Sequence, residues 1–225
     1  MAITMPREEG QMSFLNRTKG FLNQIKGFVT SPVETFNSVN DEEVGTAVKY
    51  FGKIIVIFTI LFTAVFAFLS KTTVDTVNAF PVFARIKGFL PIGIDGLAVF
   101  DITGAITIVI GVLLGGLILL IIGGAWTNIW VYALGARNGV GETIKAMAYG
   151  STPMLLFGWI TLFLAWFGWT VALGGLAFFV AWSAAIGIIG ARQLHELETG
   201  RAAIGYLLGT VVIPVVVVAI VALII

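Results

Sequence analysis

The chain has 225 residues, of which 58% are hydrophobic and only 11% charged, against roughly a quarter charged in a soluble domain. A net charge of +1 gives no ground for a polyanionic partner such as nucleic acid. The absence of cysteine removes disulfides, thiol nucleophiles and thiolate metal sites together.

No Asp, Glu, Lys, Arg or His occurs over residues 54–70, 102–136, 146–191 or 202–225. The first and last runs each match the ~20 apolar residues that cross a bilayer core. The composition predicts an all-α, polytopic integral membrane helix bundle, with residues 1–50 as a cytosolic amphipathic region and 51–225 as the transmembrane domain. The first residues, MAITMPREEG, lack the apolar core of a signal peptide.

Residues 13–29 read as an amphipathic helix. Phe14, Leu15, Phe21, Leu22, Ile25, Phe28 and Val29 recur at helical spacing, while Arg17, Lys19 and Lys26 occupy other faces. The reading is membrane-surface contact through Phe14, Arg17, Lys19, Phe21, Leu22, Ile25, Lys26 and Phe28, with docking on the protein's own bundle as the alternative. Ser31-Pro32-Val33-Glu34 reads as a capping box, and Asn40-Asp41-Glu42-Glu43 as a second acidic helix start. A short helix over 32–39 and a long one from 41 to about 70 follow, the latter carrying the first span.

The connector over 71–101 holds Asp95 and Asp101 and two proline steps, at Phe80-Pro81 and Leu90-Pro91, and is predicted to lie on the membrane surface. Residues 102–136 exceed one upright span, so a span over 102–124 is expected to continue as helix into the cytosolic headgroup zone, with Asn128 hydrated there. A polar segment with a short helix ends near Tyr149. Thr152-Pro153 then starts a hairpin over the run to 191, its outer turn placed by Gly168, Gly174 and Gly175 and its two arms either full spans or re-entrant. His195, Glu196 and Glu198 read as a solvated helix end and not as a metal site. The fifth span runs over 202–225, with Pro214 as a kink.

With five spans, ten basic residues fall on one side and only Lys71, Arg85 and Lys87 on the other. The positive-inside tendency puts the amino terminus in the cytosol and the carboxyl terminus outside or in a lumen. No hydrolase, P-loop or zinc-protease pattern occurs, and nothing in the sequence calls for a cofactor. The spans hold threonines but no buried charge, which argues against an ion-coupled pump. Gly111-x-x-x-Gly115 and Gly205-x-x-x-Gly209 fit close helix contact, either within the bundle or in a homodimer.

Three stretches resemble the YIP family, membrane proteins named for interacting with Ypt/Rab GTPases, and specifically its prokaryotic branch. Pro32-Val33-Glu34-Thr35-Phe36 is similar to the Pro-x-x-x-Phe segment before the first span. Asp101-Ile102-Thr103-Gly104 resembles the Asp-Leu-x-Gly-Pro motif that opens a span, with Ala105 in place of proline. Lys145-Ala146-Met147-Ala148-Tyr149, followed by Pro153, is similar to the Lys-Ala-x-x-Tyr helix before a later span. The resemblance covers about residues 31–225. It implies five spans, a cytosolic amino terminus and a non-enzymatic scaffold or adaptor affecting membrane organisation or trafficking. The expected partners are membrane lipids, including anionic headgroups; the sequence singles out no protein partner. The alternative is a lipid scramblase or a small permease component.

Overall fold

The computed structural model describes residues 19–78, 102–212 and 215. Phe14, Arg17, Asp101, the 79–101 connector and Pro214 lie outside the described residues. Every regular element among the described residues is helical. In chain order these are α1 (19–30), α2 (Pro32–Ser38), α3 (Val44–Asn78), α4 (Ile102–Ala133), α5 (Val140–Gly150), α6 (Thr152–Phe157), α7 (Ile160–Leu164), a 3₁₀ turn (Ala165–Phe167), α8 (Trp169–Leu194) and α9 (Thr199–Leu207), which passes into a π turn (Leu208–Val212).

Among the described residues, four stretches are long and apolar enough to cross a membrane: Val44–Leu69, Thr103–Ala133, Val140–Phe167 and Trp169–Leu194. Their outer faces carry exposed Ile60, Phe68, Leu119, Ile122 and Phe178, as expected where hydrocarbon replaces water. The fifth predicted span begins in α9 and continues beyond the described residues. The protein is therefore an all-helical integral membrane protein.

Several local expectations change. α3 begins at Val44, and residues 40–43 form a turn. It then continues through Lys71 and Asp75, since no glycine or proline interrupts it before Pro81. The Ser31 side chain makes no capping bond. Instead the Thr35 hydroxyl donates to the Ser31 carbonyl at 2.8 Å. α4, by contrast, continues as helix past 124 as expected and ends at Ala133. There the amide of Ala136 bonds the Val131 carbonyl at 3.2 Å, and that of Gly135 bonds Tyr132 at 3.0 Å. This double bond pattern needs a left-handed residue, which Gly135 supplies with φ 111°. The outer turn of the hairpin rests on Gly168 alone, at φ 122°, while Gly174 and Gly175 lie inside α8.

The core gathers at one end of the bundle, where Phe28, Phe36, Tyr50, Ile54, Ala146, Tyr149, Ala191 and Leu194 are enclosed. α5 is the central element, packed against α3, α4 and α8. Helices approach through glycine. A Cβ on Gly150 would meet the Gly187 backbone at 2.7 Å, so α5 and α8 cross backbone to backbone. Gly205 and Gly209 seat α9 on α4 at Val131 and Thr127, where a Cβ would lie 2.9 and 2.7 Å from the respective Cα atoms. The Gly205-x-x-x-Gly209 face is thus used inside the molecule. Gly111 and Gly115 have nothing within 4 Å of an added Cβ among the described residues, so the contact expected within the bundle is not made there and their homodimer alternative is left open. Gly116 and Gly124, which face Ile55 and Ile144, hold α4 against α3 and α5 instead.

Candidate functional site

α5 places Lys145 and Tyr149 four residues apart, on one face of the helix. Both reach the turn between α2 and α3. The Lys145 ammonium donates to the carbonyls of Asn40 at 2.7 Å and Glu42 at 3.0 Å, and lies 2.7 Å from Glu142 Oε2. The Tyr149 hydroxyl donates to Glu42 Oε2 at 2.6 Å. Lys145 is 1% exposed, so its charge is tolerable only because a carboxylate and two carbonyls surround it. The acidic segment predicted as a helix start is thereby the anchor that these two side chains hold.

Above this polar clasp sits an aromatic cluster. Phe28 stacks on Tyr149 at 4.3 Å between centroids and meets Phe36 and Tyr50 edge-on at 5.0 and 5.7 Å. Such contacts add about 0.5–1.5 kcal/mol each beyond area burial. Phe36 fits because Gly190 leaves room: a Cβ there would lie 2.5 Å from its ring. Pro32 opens α2 and places Phe36 one turn later, so the Pro-x-x-x-Phe spacing positions a ring for the α5–α8 crossing.

Pro153 completes the arrangement. It has no N–H for the Tyr149 carbonyl four residues earlier. The Thr152 hydroxyl takes that carbonyl at 2.6 Å, leaving its own oxygen to accept from Tyr50 at 3.0 Å. The α6 amide of Met154 donates to Ser183 of α8 at 2.9 Å. A break in one helix thus becomes a set of ties to two others.

A second polar cluster joins α4, α5 and the end of α8. Thr143 Oγ1 donates to Asn128 Oδ1 at 2.9 Å and lies 2.9 Å from His195 Nε2. Because the threonine proton is committed to Asn128, Nε2 must carry the imidazole proton and Nδ1 is left as a bare acceptor. His195 is 4% exposed, not a solvated helix end. Burial, with the Lys145 charge second, holds its pKa down to about 4. Asn128 is half-buried and accepts the Thr143 hydroxyl proton within the protein.

The residues expected at the membrane surface divide. Phe28 is fully enclosed, which corrects its placement there: its ring finds a better partner in Tyr149 than in acyl chains. Phe21 and Ile25 are half-buried against the same core, whereas Lys19, Leu22 and Lys26 remain exposed. The docking alternative therefore holds for one face of α1 and leaves the other open. Of the family-like residues, Phe36, Lys145, Tyr149 and Pro153 are buried at one locus. Pro32 stands one turn from Phe36, and Gly104 lies in the first turn of α4, far along the chain from them. The sequence marked Glu42 and Thr152 only as helix-start residues and gave no signal for Tyr50 or Thr143; the tertiary roles of all four depend on partners up to 107 residues away.

On the lipid-facing side, a groove of about 430 Å³ opens between α3, α4 and the α5–α6 junction, lined by Phe51, Ile55, Gly111, Gly115, Met147 and Met154. Its wall is apolar, suited to an acyl chain and poor in partners for a headgroup.

A family model described as Yip1 domain matches residues 26–222. No curated protein matches the chain, and neither does any solved structure.

Proposed function

Because that match takes in most of its length, the chain belongs to the Yip1 domain family, and from this we propose that it is a non-enzymatic membrane scaffold of the prokaryotic kind, affecting membrane organisation or trafficking. Its amino terminus is cytosolic and its carboxyl terminus external, in keeping with the ten-to-three split of basic residues. The observation that carries the reading is the division of α1. One face, with Phe28, is locked to the Lys145–Tyr149 locus, while Lys19, Leu22 and Lys26 face outward. A surface helix fixed to a membrane-anchored bundle presents its exposed Leu22, flanked by the two lysines, to one leaflet and expands it. Lysines at that depth each attract anionic headgroups by up to about 1 kcal/mol.

The rival is lipid passage along the apolar groove. An acyl chain fits there, but a scramblase also requires a polar track for headgroups, and the groove wall supplies little of one. Reconstitution of the full chain into liposomes separates the two. The scaffold reading expects deformed vesicles with lipid flip-flop no faster than in empty liposomes. Flip-flop well above that background, without deformation, would replace the scaffold with a transporter.

A further inference from the structure

A second cavity, of about 270 Å³, lies between α1 and the first turns of α3, walled by Gly20, Phe21, Gln24, Thr46, Lys49, Tyr50 and Lys53. We infer that it is a specific binding site for the phosphate headgroup of an anionic phospholipid. Lys49 and Lys53 stand one turn apart on α3, both exposed, and neither has an ion pair among the described residues. No carboxylate lines the cavity among the described residues, so two positive charges border the recess with nothing there to neutralise them. The Lys53 ammonium sits 5.3 Å from the Phe21 ring centroid. This cation–π contact steers the charge toward the cavity and leaves its N–H donors available to phosphate oxygens. The Thr46 hydroxyl adds a neutral donor, and the Phe21 ring gives an apolar edge for the glycerol. The occupant is a lipid and not a soluble phosphate, because the two lysines lie within the first candidate span, Val44–Leu69. Side chains there reach headgroup depth by extending toward the interface.

The site rests on the scaffold reading only in placing α1 at the membrane surface; binding is measured apart from vesicle deformation, so either idea can fail alone. The probe is phosphatidylglycerol against phosphatidylcholine, retained by the full-length protein in detergent and counted by native mass spectrometry. Two lysine contacts at this depth give about a 30-fold preference for the anionic lipid. Lys49→Gln with Lys53→Gln should abolish that preference. The charge-matched pair Arg137→Gln with Arg201→Gln, at exposed positions outside the cavity, should keep it. Gly20→Leu changes no charge, and its side chain enters open space at the cavity wall, so it should weaken retention by blocking the recess. Equal loss in both charge-removing pairs would show diffuse attraction and overturn the site, as would full retention in Gly20→Leu. Displacement of phosphatidylglycerol by millimolar inorganic phosphate would overturn the assignment to a lipid.

Discussion

Tyr149 and Lys145 each hold Glu42, one through its carboxylate and one through its carbonyl, and the difference sets what their loss costs. Tyr149→Phe keeps the stacked ring and removes one charge-assisted hydrogen bond, which should lower stability in detergent by about 1–2 kcal/mol. Lys145→Met leaves Glu142 without its cation and two carbonyls without a donor. It should cost about 3 kcal/mol or more and speed tryptic cleavage at Lys26, because α1 loses the loop that supports it. Equal effects of the two substitutions, read by chemical unfolding, would refute this ranking. His195 gives a pH signature. Its pKa is about 4 in the folded state against 6.5 when free, so the unfolded chain takes up more protons between these values. The neutral imidazole's contribution is complete above pH 6.5 and is lost as pH falls through 4, up to about 3 kcal/mol. His195→Gln should show a shallower fall in melting temperature over that window than the parent. Identical slopes would exclude this residue as a source.

Between elements, glycine decides where helices meet. Gly209→Ala would press a methyl group onto the Thr127 backbone and should destabilise the α4–α9 seam by about 1–3 kcal/mol. Gly111→Ala meets open space and gains helix propensity, so it should be neutral or stabilising by up to about 1 kcal/mol. Thermal melts of the two variants check the contrast, and similar losses in both would contradict the assigned register. The two Gly-x-x-x-Gly motifs are indistinguishable in sequence, since the spacing states only that two glycines share a face. Which face meets a neighbour depends on how far α4 is rotated, and over residues 108–122 it is apolar on every side, with nothing local to fix that rotation. The elements themselves were more legible. Uncharged runs located the spans, Thr152-Pro153 marked the hairpin's start, and Gly168 with its flanking tryptophans marked its turn. The start after Ser31 was read correctly, though without the capping bond; the start at 41–43 fared worse, because Glu42 was engaged by Tyr149, a partner that no local pattern reveals.

For the whole molecule, the Yip1 family and the all-helical membrane architecture could be read before any coordinate, because lipid admits so few backbone solutions. The functional locus was legible in part. Lys145, Tyr149 and Phe36 stood out by resemblance, but their convergence, and the closure of Phe28 over them, required the tertiary fold. That convergence also orders events during synthesis. Glu42 leaves the ribosome 103 residues before Lys145 and 107 before Tyr149, an interval of roughly 5–20 s at ordinary elongation rates. Until the third hydrophobic segment is delivered, α1 has no docking partner on α5. The nascent chain therefore leaves the Tyr149-facing side of Phe28 uncovered until then, and α1 docks late, as a folding step that reports completion of the segment behind it.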